Sequence, residues 1–275
     1  MSRQLALISC ALLSLTAFSS GQRDPILTGA RTMLVEAAAD KNPDTRVRAA
    51  EAMSLLPSQD ELLDAQGPLA ALLADHDVSV RIAATSALAD SAGRTPSRAV
   101  LDRLEAMLND PVPEVDYTAA RSLDALHDQV GTDFLMAVVS GDSKSTSSFL
   151  ATHKRSALRL LQTPGKLFTT ALVSSAEILS PLPVGLGVSS LRGILGDNVS
   201  PRAATLLLLN QSRDPALPEV VEKALTDKDA SVRAAAVHVV ATHPLPGLAA
   251  GLAPLLDDKS ASVRLRAAAA LLRLH

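Results

Sequence analysis

Aspartate and arginine residues at a fixed spacing are the closest approach to a chemical motif in this chain. The phrase Asp-x-x-Val-Arg occurs at Asp44/Arg48, Asp77/Arg81 and Asp229/Arg233, and a variant with Ser260 in place of Asp ends at Arg264. A carboxylate beside a guanidinium could act in acid–base chemistry, but a catalytic pair has no reason to recur along a chain. Recurrence instead indicates a structural repeat, in which the Asp caps a helix and the Arg one turn later pairs with it. We also expect this contact to link neighbouring units.

Other groups that could carry chemistry lack the required spacing. Among the six histidines only His238 and His243 are close, and their five-residue separation does not place two ligands on one helical face, so we predict solvated or capping roles. Gly185 and Gly187 are not followed by a phosphate-binding fingerprint and are predicted to form a turn. The sequence therefore predicts a protein that is not an enzyme, with no catalytic residue, metal site or cofactor.

Composition narrows the class of fold and of partner. Hydrophobic residues make up 47% of the 275 residues and aromatic residues only 2%, so Ala, Leu and Val must build the core, which favours helices over strands. The net charge is -3, and no block of Lys or Arg interrupts the mixture of charges. Binding to nucleic acid relies on clustered basic residues or stacking aromatics, so this class of partner is excluded.

Apolar residues follow each copy of the phrase at helical spacing. With Val80 as position zero, Ala83, Ala84, Ala87 and Leu88 fall at plus three, four, seven and eight, the stripe that an amphipathic helix buries. The last copy has Arg266 at plus three, which interrupts its stripe.

A second acidic column lies two residues before the N-cap column and consists of Asp75, Asp110, Asp227 and Asp258. Acidic residues at this position predict the turn between two antiparallel helices, so each unit is predicted to be a helix pair. First helices are predicted at 26–39, 60–74, 97–108, 130–139, 215–226 and 246–256. Second helices are predicted at 44–56, 77–90, 113–127, 147–162, 199–210, 229–242 and 260–274, with Asn198 as a further N-cap.

The pattern Asp-x-x-Val-Arg-x-x-Ala-Ala resembles the short HEAT-repeat family, including the type found in phycobilisome lyases. The Val spacings are 33 residues from Val47 to Val80, 35 from Val80 to Val115 and 31 from Val232 to Val263. The resemblance implies an all-α, right-handed α-solenoid of about six to seven helix pairs over residues 22–275. It also implies a concave inner surface that holds another macromolecule. We expect the regular stacking to be disturbed in the middle, where an apolar insertion occupies about residues 164–196.

The third unit departs from the pattern, and this departure suggests a binding patch. Asp116 stands where the Arg should be, and Tyr117, Arg121 and Asp124 fall at plus two, six and nine, opposite the buried stripe. We interpret these three residues as a candidate partner-binding patch; the alternative is a solvated face on an irregular repeat.

The N-terminal residues have the character of a targeting segment. Arg3 precedes an apolar stretch from Leu5 to Ala17, and Ala17-Phe18-Ser19 has the small-x-small pattern of a cleavage site. We predict a signal peptide over about residues 1–20 and a periplasmic or extracellular protein; the alternative is an additional capping helix. The single cysteine, Cys10, lies within this segment, and the apolar stretch before it is too short to favour lipoprotein anchoring.

These observations lead to a hypothesis of non-covalent binding to another protein, of identity not encoded in the sequence, along the concave surface. One alternative is a lyase-like enzyme, or an enzyme accessory or chaperone, for which the resemblance is the only support. Another is an envelope-attached adaptor that uses the apolar segment 164–196, although burial between repeats accounts for that segment better than membrane contact.

The buried stripe can be tested at one position. Val80→Asp places a carboxylate in the predicted core without a partner, so we expect it to cost several kcal/mol of stability. Thermal unfolding followed by circular dichroism measures the effect, and an unchanged melting temperature would contradict the assignment of this column to the core.

Overall fold

The structure is a computed structural model that describes residues 24–140, except 58 and 94, and residues 200–275, except 244 and 246. Several predicted features lie outside these residues, namely the signal peptide at 1–20 with Cys10, the helix at 147–162, the apolar insertion at 164–196 and the N-cap Asn198. The two described parts contain helices and turns and no β-strand, as the composition predicts.

The helices are antiparallel pairs arranged as the predicted α-solenoid. The first described part contains α1 (Pro25–Ala38), α2 (Pro43–Met53), α3 (Pro68–Leu73), α4 (Val78–Ser91), α5 (Arg98–Met107), α6 (Pro113–Ala125) and α7 (Gln129–Ser140). The second part contains α8 (Pro201–Leu208), α9 (Leu217–Leu225), α10 (Ala230–Thr242) and α11 (Ala261–Leu274). Short 3₁₀ segments lie at Glu61–Leu63 and Leu209–Gln211, and a longer one at Leu248–Asp257 takes the place of a first helix in the last unit.

Two first helices differ from the prediction because of Gly67 and Pro254. The predicted helix 60–74 is divided into a 3₁₀ turn and α3, and Gly67 between them lies against the backbone of the turn. A Cβ at Gly67 would lie 2.8 Å from the carbonyl oxygen of Leu62, so no larger residue fits without a shift. Pro254 lies inside the 3₁₀ segment of the last unit, where it lacks the N–H that an α-helix would use.

The core consists of the stripes that the sequence predicts. Val80, Ala83, Ala84, Ala87 and Leu88 of α4 are all buried, with exposed fractions of 7% or less. The corresponding residues of α10 and α11 are buried as well; they are Val232, Ala235, Ala236, Val239, Val240, Val263, Ala267, Ala270 and Leu271. Small side chains at these positions let neighbouring second helices approach closely and pack as one continuous layer.

The order of units in space differs from their order in sequence. The second helices are stacked in the order α8, α10, α11, α2, α4, α6, because α11 packs on both α1 and α2. The Arg273 guanidinium near the end of α11 donates a hydrogen bond of 2.7 Å to the carbonyl oxygen of Leu55, just after α2. The last unit of the chain therefore precedes the first unit in the solenoid, and the packing joins the two ends of the described chain.

This order predicts that the C-terminal helix protects the N-terminal helices. Removal of residues 260–275 should expose the buried Leu34 of α1 and increase tryptic cleavage after Arg31 and Lys41 by about tenfold or more. Cleavage after Arg103, on the more distant α5, serves as the internal control. If cleavage after Arg31 and Lys41 is unaffected by the truncation, α11 does not pack on the first unit.

Candidate functional site

Arginine side chains connect each unit to the next through bidentate ion pairs. Arg81 of α4 donates from Nε to Oδ2 of Asp110 at 2.8 Å and from Nη2 to Oδ1 at 3.0 Å. Its third donor group, Nη1, bonds the backbone carbonyls of Asp75 and His76 at 2.8 and 3.3 Å. Asp110 belongs to the turn of the following helix pair, so a single guanidinium holds the turns of two units together.

The same arrangement recurs along the solenoid. Arg46 pairs with Asp75 at 2.7 and 2.9 Å, and Arg233 pairs with Asp258 at 2.7 and 2.8 Å. The partners are 29 residues apart in the first described part and 25 apart in the second, which reflects the shorter units of the C-terminal part. This finding confirms the expectation that the Arg column links neighbouring units, and it assigns the second acidic column as the partner.

The predicted pairs within one helix are not formed, and Asp77/Arg81 and Asp229/Arg233 were therefore wrong as pairs. The Asp77 carboxylate accepts hydrogen bonds from the N–H groups of Ser79 and Val80 at the start of α4, and Asp229 accepts one from Ser231. These two residues are the helix N-caps that the sequence predicts. The arginine side chain points towards the helix N-terminus, as long side chains on helices do, and there it meets the adjacent turn.

The predicted register of the first unit is wrong by two residues, so Asp44 is not the N-cap and Arg48 is not the inter-unit arginine. The N-cap of α2 is Asn42, whose side chain accepts from the Asp44 N–H, and the inter-unit arginine is Arg46. Asp44 is exposed, and no ion pair with Arg48 forms among the described residues. With Thr45 at position zero the first spacing becomes 35 residues, equal to the distance from Val80 to Val115, so the corrected register is the more regular one.

Two further arginines complete the series. Arg202 pairs with Asp227 through the two terminal nitrogens of its guanidinium, Nη1 and Nη2. This arginine is absent from the residues predicted from the sequence, although it follows Asn198 at the spacing of the phrase. Arg264 makes the two backbone contacts, to the carbonyls of Asp258 and Lys259, but no carboxylate in the described part of the chain lies within 4.0 Å of it. The series of ion pairs is thus interrupted at the first turn of α11.

Three of the paired carboxylates, those of Asp75, Asp227 and Asp258, are held in their charged form. Hydrogen bonds from Arg202 lower the pKa of Asp227 to about 2, with help from the N–H of Asp229. Burial by itself raises the pKa of Asp75, but hydrogen bonds from Arg46 and the Asp77 N–H outweigh it, and the pKa is lowered. The hydrogen bonds from Arg233 lower the pKa of Asp258 despite its burial. None of these groups is poised to exchange a proton near neutral pH, as a general acid or base would be.

The face of the second helices that carries the plus-two residues forms a candidate binding surface. Val47, Ile82 and Tyr117 occupy the plus-two position on α2, α4 and α6, and each is half-buried, with part of its side chain open to solvent. We call the open face of α2, α4 and α6 around this row the inner surface. On α10 and α11 the plus-two residues Ala234 and Leu265 are buried instead, so α2, α4 and α6 differ from these two helices in leaving the row accessible.

Two of the three predicted patch residues meet on the inner surface. The Arg121 guanidinium carbon lies 6.0 Å from the centre of the Tyr117 ring, within range of a cation–π contact. Asp124 is exposed, and its Oδ1 accepts a hydrogen bond of 2.7 Å from the Thr132 hydroxyl of α7. Tyr117 and Arg121 therefore form one contact unit, and Asp124 is bonded to the neighbouring helix.

A buried polar cluster lies between the last unit and the first. Arg266, at 1% exposure, interacts through its charge with Glu51 of α2 and Asp90 of α4, while burial lowers the pKa of its guanidinium. His238 of α10 is buried, contrary to the predicted solvated or capping role, because its helix face is covered where α10 meets α11. Burial, together with the nearby charges of Arg266 and Arg273, lowers the pKa of His238 to about 3, so the imidazole is neutral at ordinary pH.

An apolar groove lies between α8 and α9. It has a volume of about 460 Å³ and is lined by Leu206, Leu209, Val220 and Ala224, with the paired Arg202 and Asp227 at its rim. Arg202 and Asp227 are bonded to each other, and Lys223, which also lines the groove, donates to Glu219, so the groove can accept an apolar side chain.

Within the described residues no cluster of His, Cys, Asp and Glu has the geometry to hold a metal ion. In the same residues, no helix combines the length and the apolar character needed to cross a bilayer.

The inter-unit ion pairs predict an acid-sensitive contribution to stability. Asp258→Asn should lower the free energy of unfolding at neutral pH by about 1 to 3 kcal/mol, because Arg233 loses its charged partner in a nearly buried site. Since the folded-state pKa is lowered, the advantage of the wild type is complete above the unfolded value of about 3.9 and is lost as the pH falls below it.

Urea denaturation at pH 7 and at successively lower pH measures this difference. Asp257→Asn is the matched control, because Asp257 is the adjacent aspartate and is exposed. Equal effects of the two substitutions at pH 7 would contradict the structural role of Asp258.

Comparison with known proteins agrees with this architecture. A family model described as HEAT repeats matches residues 31–122 and 65–148, which cover α2, α4 and α6 and their inter-unit ion pairs. A search of curated proteins gives no match. The family match and the stacked helix pairs agree with the resemblance seen in the repeated phrase, and the phycobilisome-lyase type remains a resemblance alone. Residues 31–148 of the chain consist of HEAT repeats.

Proposed function

We propose that this HEAT-repeat protein is an exported scaffold that binds another protein through its inner surface. The observation that carries the proposal is the half-buried row of Val47, Ile82 and Tyr117, with Arg121 against the Tyr117 ring. HEAT repeats commonly serve as protein-interaction scaffolds, and the inter-unit ion pairs fix the second helices that present this row.

The dimensions of the row favour an extended or helical segment of a partner. Packed helices lie about 8 to 10 Å apart, so three consecutive second helices present side chains over about 20 Å. Tyr and Arg are the residue types that most often dominate binding energy at interfaces, because a large ring and a planar cation bury much area at little cost in conformational entropy. We therefore place the main contact at Tyr117 and Arg121, and weaker apolar contacts at Val47 and Ile82.

A non-enzymatic role accounts for the charged residues better than a catalytic one. The most regular charged groups, the inter-unit Arg and Asp residues, are engaged in bidentate pairs, and the pKa values of Asp75, Asp227 and Asp258 in these pairs are lowered. The alternative of a lyase-like accessory draws on the resemblance alone, and that of an envelope adaptor draws on residues 164–196, outside the described part.

Export is a part of the proposal that rests on residues 1–20 alone. The basic Arg3, the apolar stretch and the small-x-small pattern at Ala17-Phe18-Ser19 support processing and release outside the cytoplasm.

Binding through the inner surface can be tested with one double variant. The wild type is immobilised and used to recover partners from the native envelope and extracellular fractions. Tyr117→Ala with Arg121→Ala should then weaken the recovery of a specific partner by about tenfold or more, because interface hot spots cost 2 kcal/mol or more on truncation.

Arg98→Ala is the matched control, because Arg98 is an exposed arginine of the same unit on the first helix α5, away from the inner surface. Thermal unfolding of each variant shows whether it remains folded. Recovery of the same partners in the same amounts by the folded double variant would remove the assignment of the binding site to Tyr117 and Arg121.

A further inference from the structure

The packing of α11 on α1 and α2, which we call the junction, differs from every other step between described neighbouring units. Elsewhere a loop joins one unit to the next, as between α2 and α3 or between α4 and α5. At the junction the two sides are the last and first described helices of the chain, so only non-covalent contacts hold them together.

The inter-unit ion pair is also not formed at the junction, although an arginine and an aspartate, Arg264 and Asp40, occupy the corresponding positions. Arg264 makes the backbone contacts of the other inter-unit arginines, to the carbonyls of Asp258 and Lys259. Asp40, at the turn before α2, accepts the N–H of Asn42 at 2.7 Å, as Asp75 accepts the N–H of Asp77 at 2.8 Å in the next unit. Asp40 is exposed, whereas the Asp75 side chain is 9% exposed and pairs with Arg46.

Buried charge further reduces the net stability of the junction. Arg266 of α11 interacts with Glu51 of α2, and both are nearly inaccessible to solvent. The desolvation of a buried carboxylate and guanidinium offsets much of the free energy of their electrostatic attraction. Such a contact therefore stabilises less than apolar packing of similar area. In the regular step between α2 and α4 the buried stripes consist largely of Ala, Leu and Val.

We infer that the junction is a hinge at which the solenoid opens, with α11 separating from α1 and α2 while the regular steps stay closed. Opening would expose the buried Arg266 of α11 and the buried Glu51 of α2, which interact across the junction. The inference concerns the free protein and stands apart from the identity of any partner.

Hydrogen exchange of the full chain, followed by mass spectrometry, tests the hinge. Amides of α1 and α11 should exchange at least about tenfold faster than amides of α4 and α10, because they open without global unfolding. Fraying of chain ends would also give fast exchange, so the decisive measurement is coupling between the two sides.

Two substitutions measure this coupling from opposite sides. Arg273→Ala on α11, which removes the hydrogen bond to the Leu55 carbonyl, should accelerate exchange in α1, and Leu34→Ala on α1 should accelerate exchange in α11, each by about tenfold or more, with α4 and α10 little changed. Leu104→Ala, in the buried face of α5, is the control and should leave the exchange of α1 and α11 unchanged.

Either of two results would overturn the inference. Exchange of α1 and α11 at the rate of α4 and α10 would show that the junction opens only when the whole protein unfolds. Acceleration confined to the helix that carries each substitution would show independent fraying of two ends.

Discussion

The structure depends on one repeated constraint, the bidentate pair between an arginine at the start of a second helix and an aspartate in the turn of the next unit. The pair uses the planar guanidinium fully: Nε and Nη2 meet the two carboxylate oxygens, and Nη1 bonds two carbonyls of its own turn. A lysine could not satisfy this geometry, because it carries a single ammonium group. Apolar stripes of Ala, Leu and Val supply most of the stabilisation, and the ion pair fixes how one unit is rotated against the next.

The binding surface follows from this constraint. Second helices held at a constant rotation present the same column of residues, and in the N-terminal units that column is the half-buried row around Val47, Ile82 and Tyr117. The third unit departs from the pattern where the row ends, with the buried Asp116 in the arginine position and Tyr117 beside it. A local break in the repeat therefore coincides with the one aromatic side chain of the proposed surface.

Much of the fold was accessible from the sequence, because helical periodicity records burial directly. The stripe from Val80 to Leu88 and the N-caps Asp77 and Asp229 are correct to the residue. The partner of Arg81 could not be predicted with the same certainty, because the sequence pattern allows a pair with Asp77 at the start of the same helix and a pair with Asp110 in the turn of the next unit. The geometry of the side chain, which points towards the helix N-terminus, decides between them.

The packing of α11 on α1 could not be predicted from the sequence either, because equivalent repeats carry equivalent apolar stripes and do not specify which neighbouring helix they contact. The burial of His238 depends on that same packing.

A double-mutant cycle is the most direct measurement of the central claim. Arg81→Gln is combined with Asp110→Asn in one cycle and with Asp77→Asn in another, and free energies of unfolding are compared by urea denaturation. The account predicts a coupling of about 1 kcal/mol or more between Arg81 and Asp110, and additive effects for Arg81 and Asp77. Additivity in the first cycle with coupling in the second would show that the pair lies within one helix, and the inter-unit constraint would be lost.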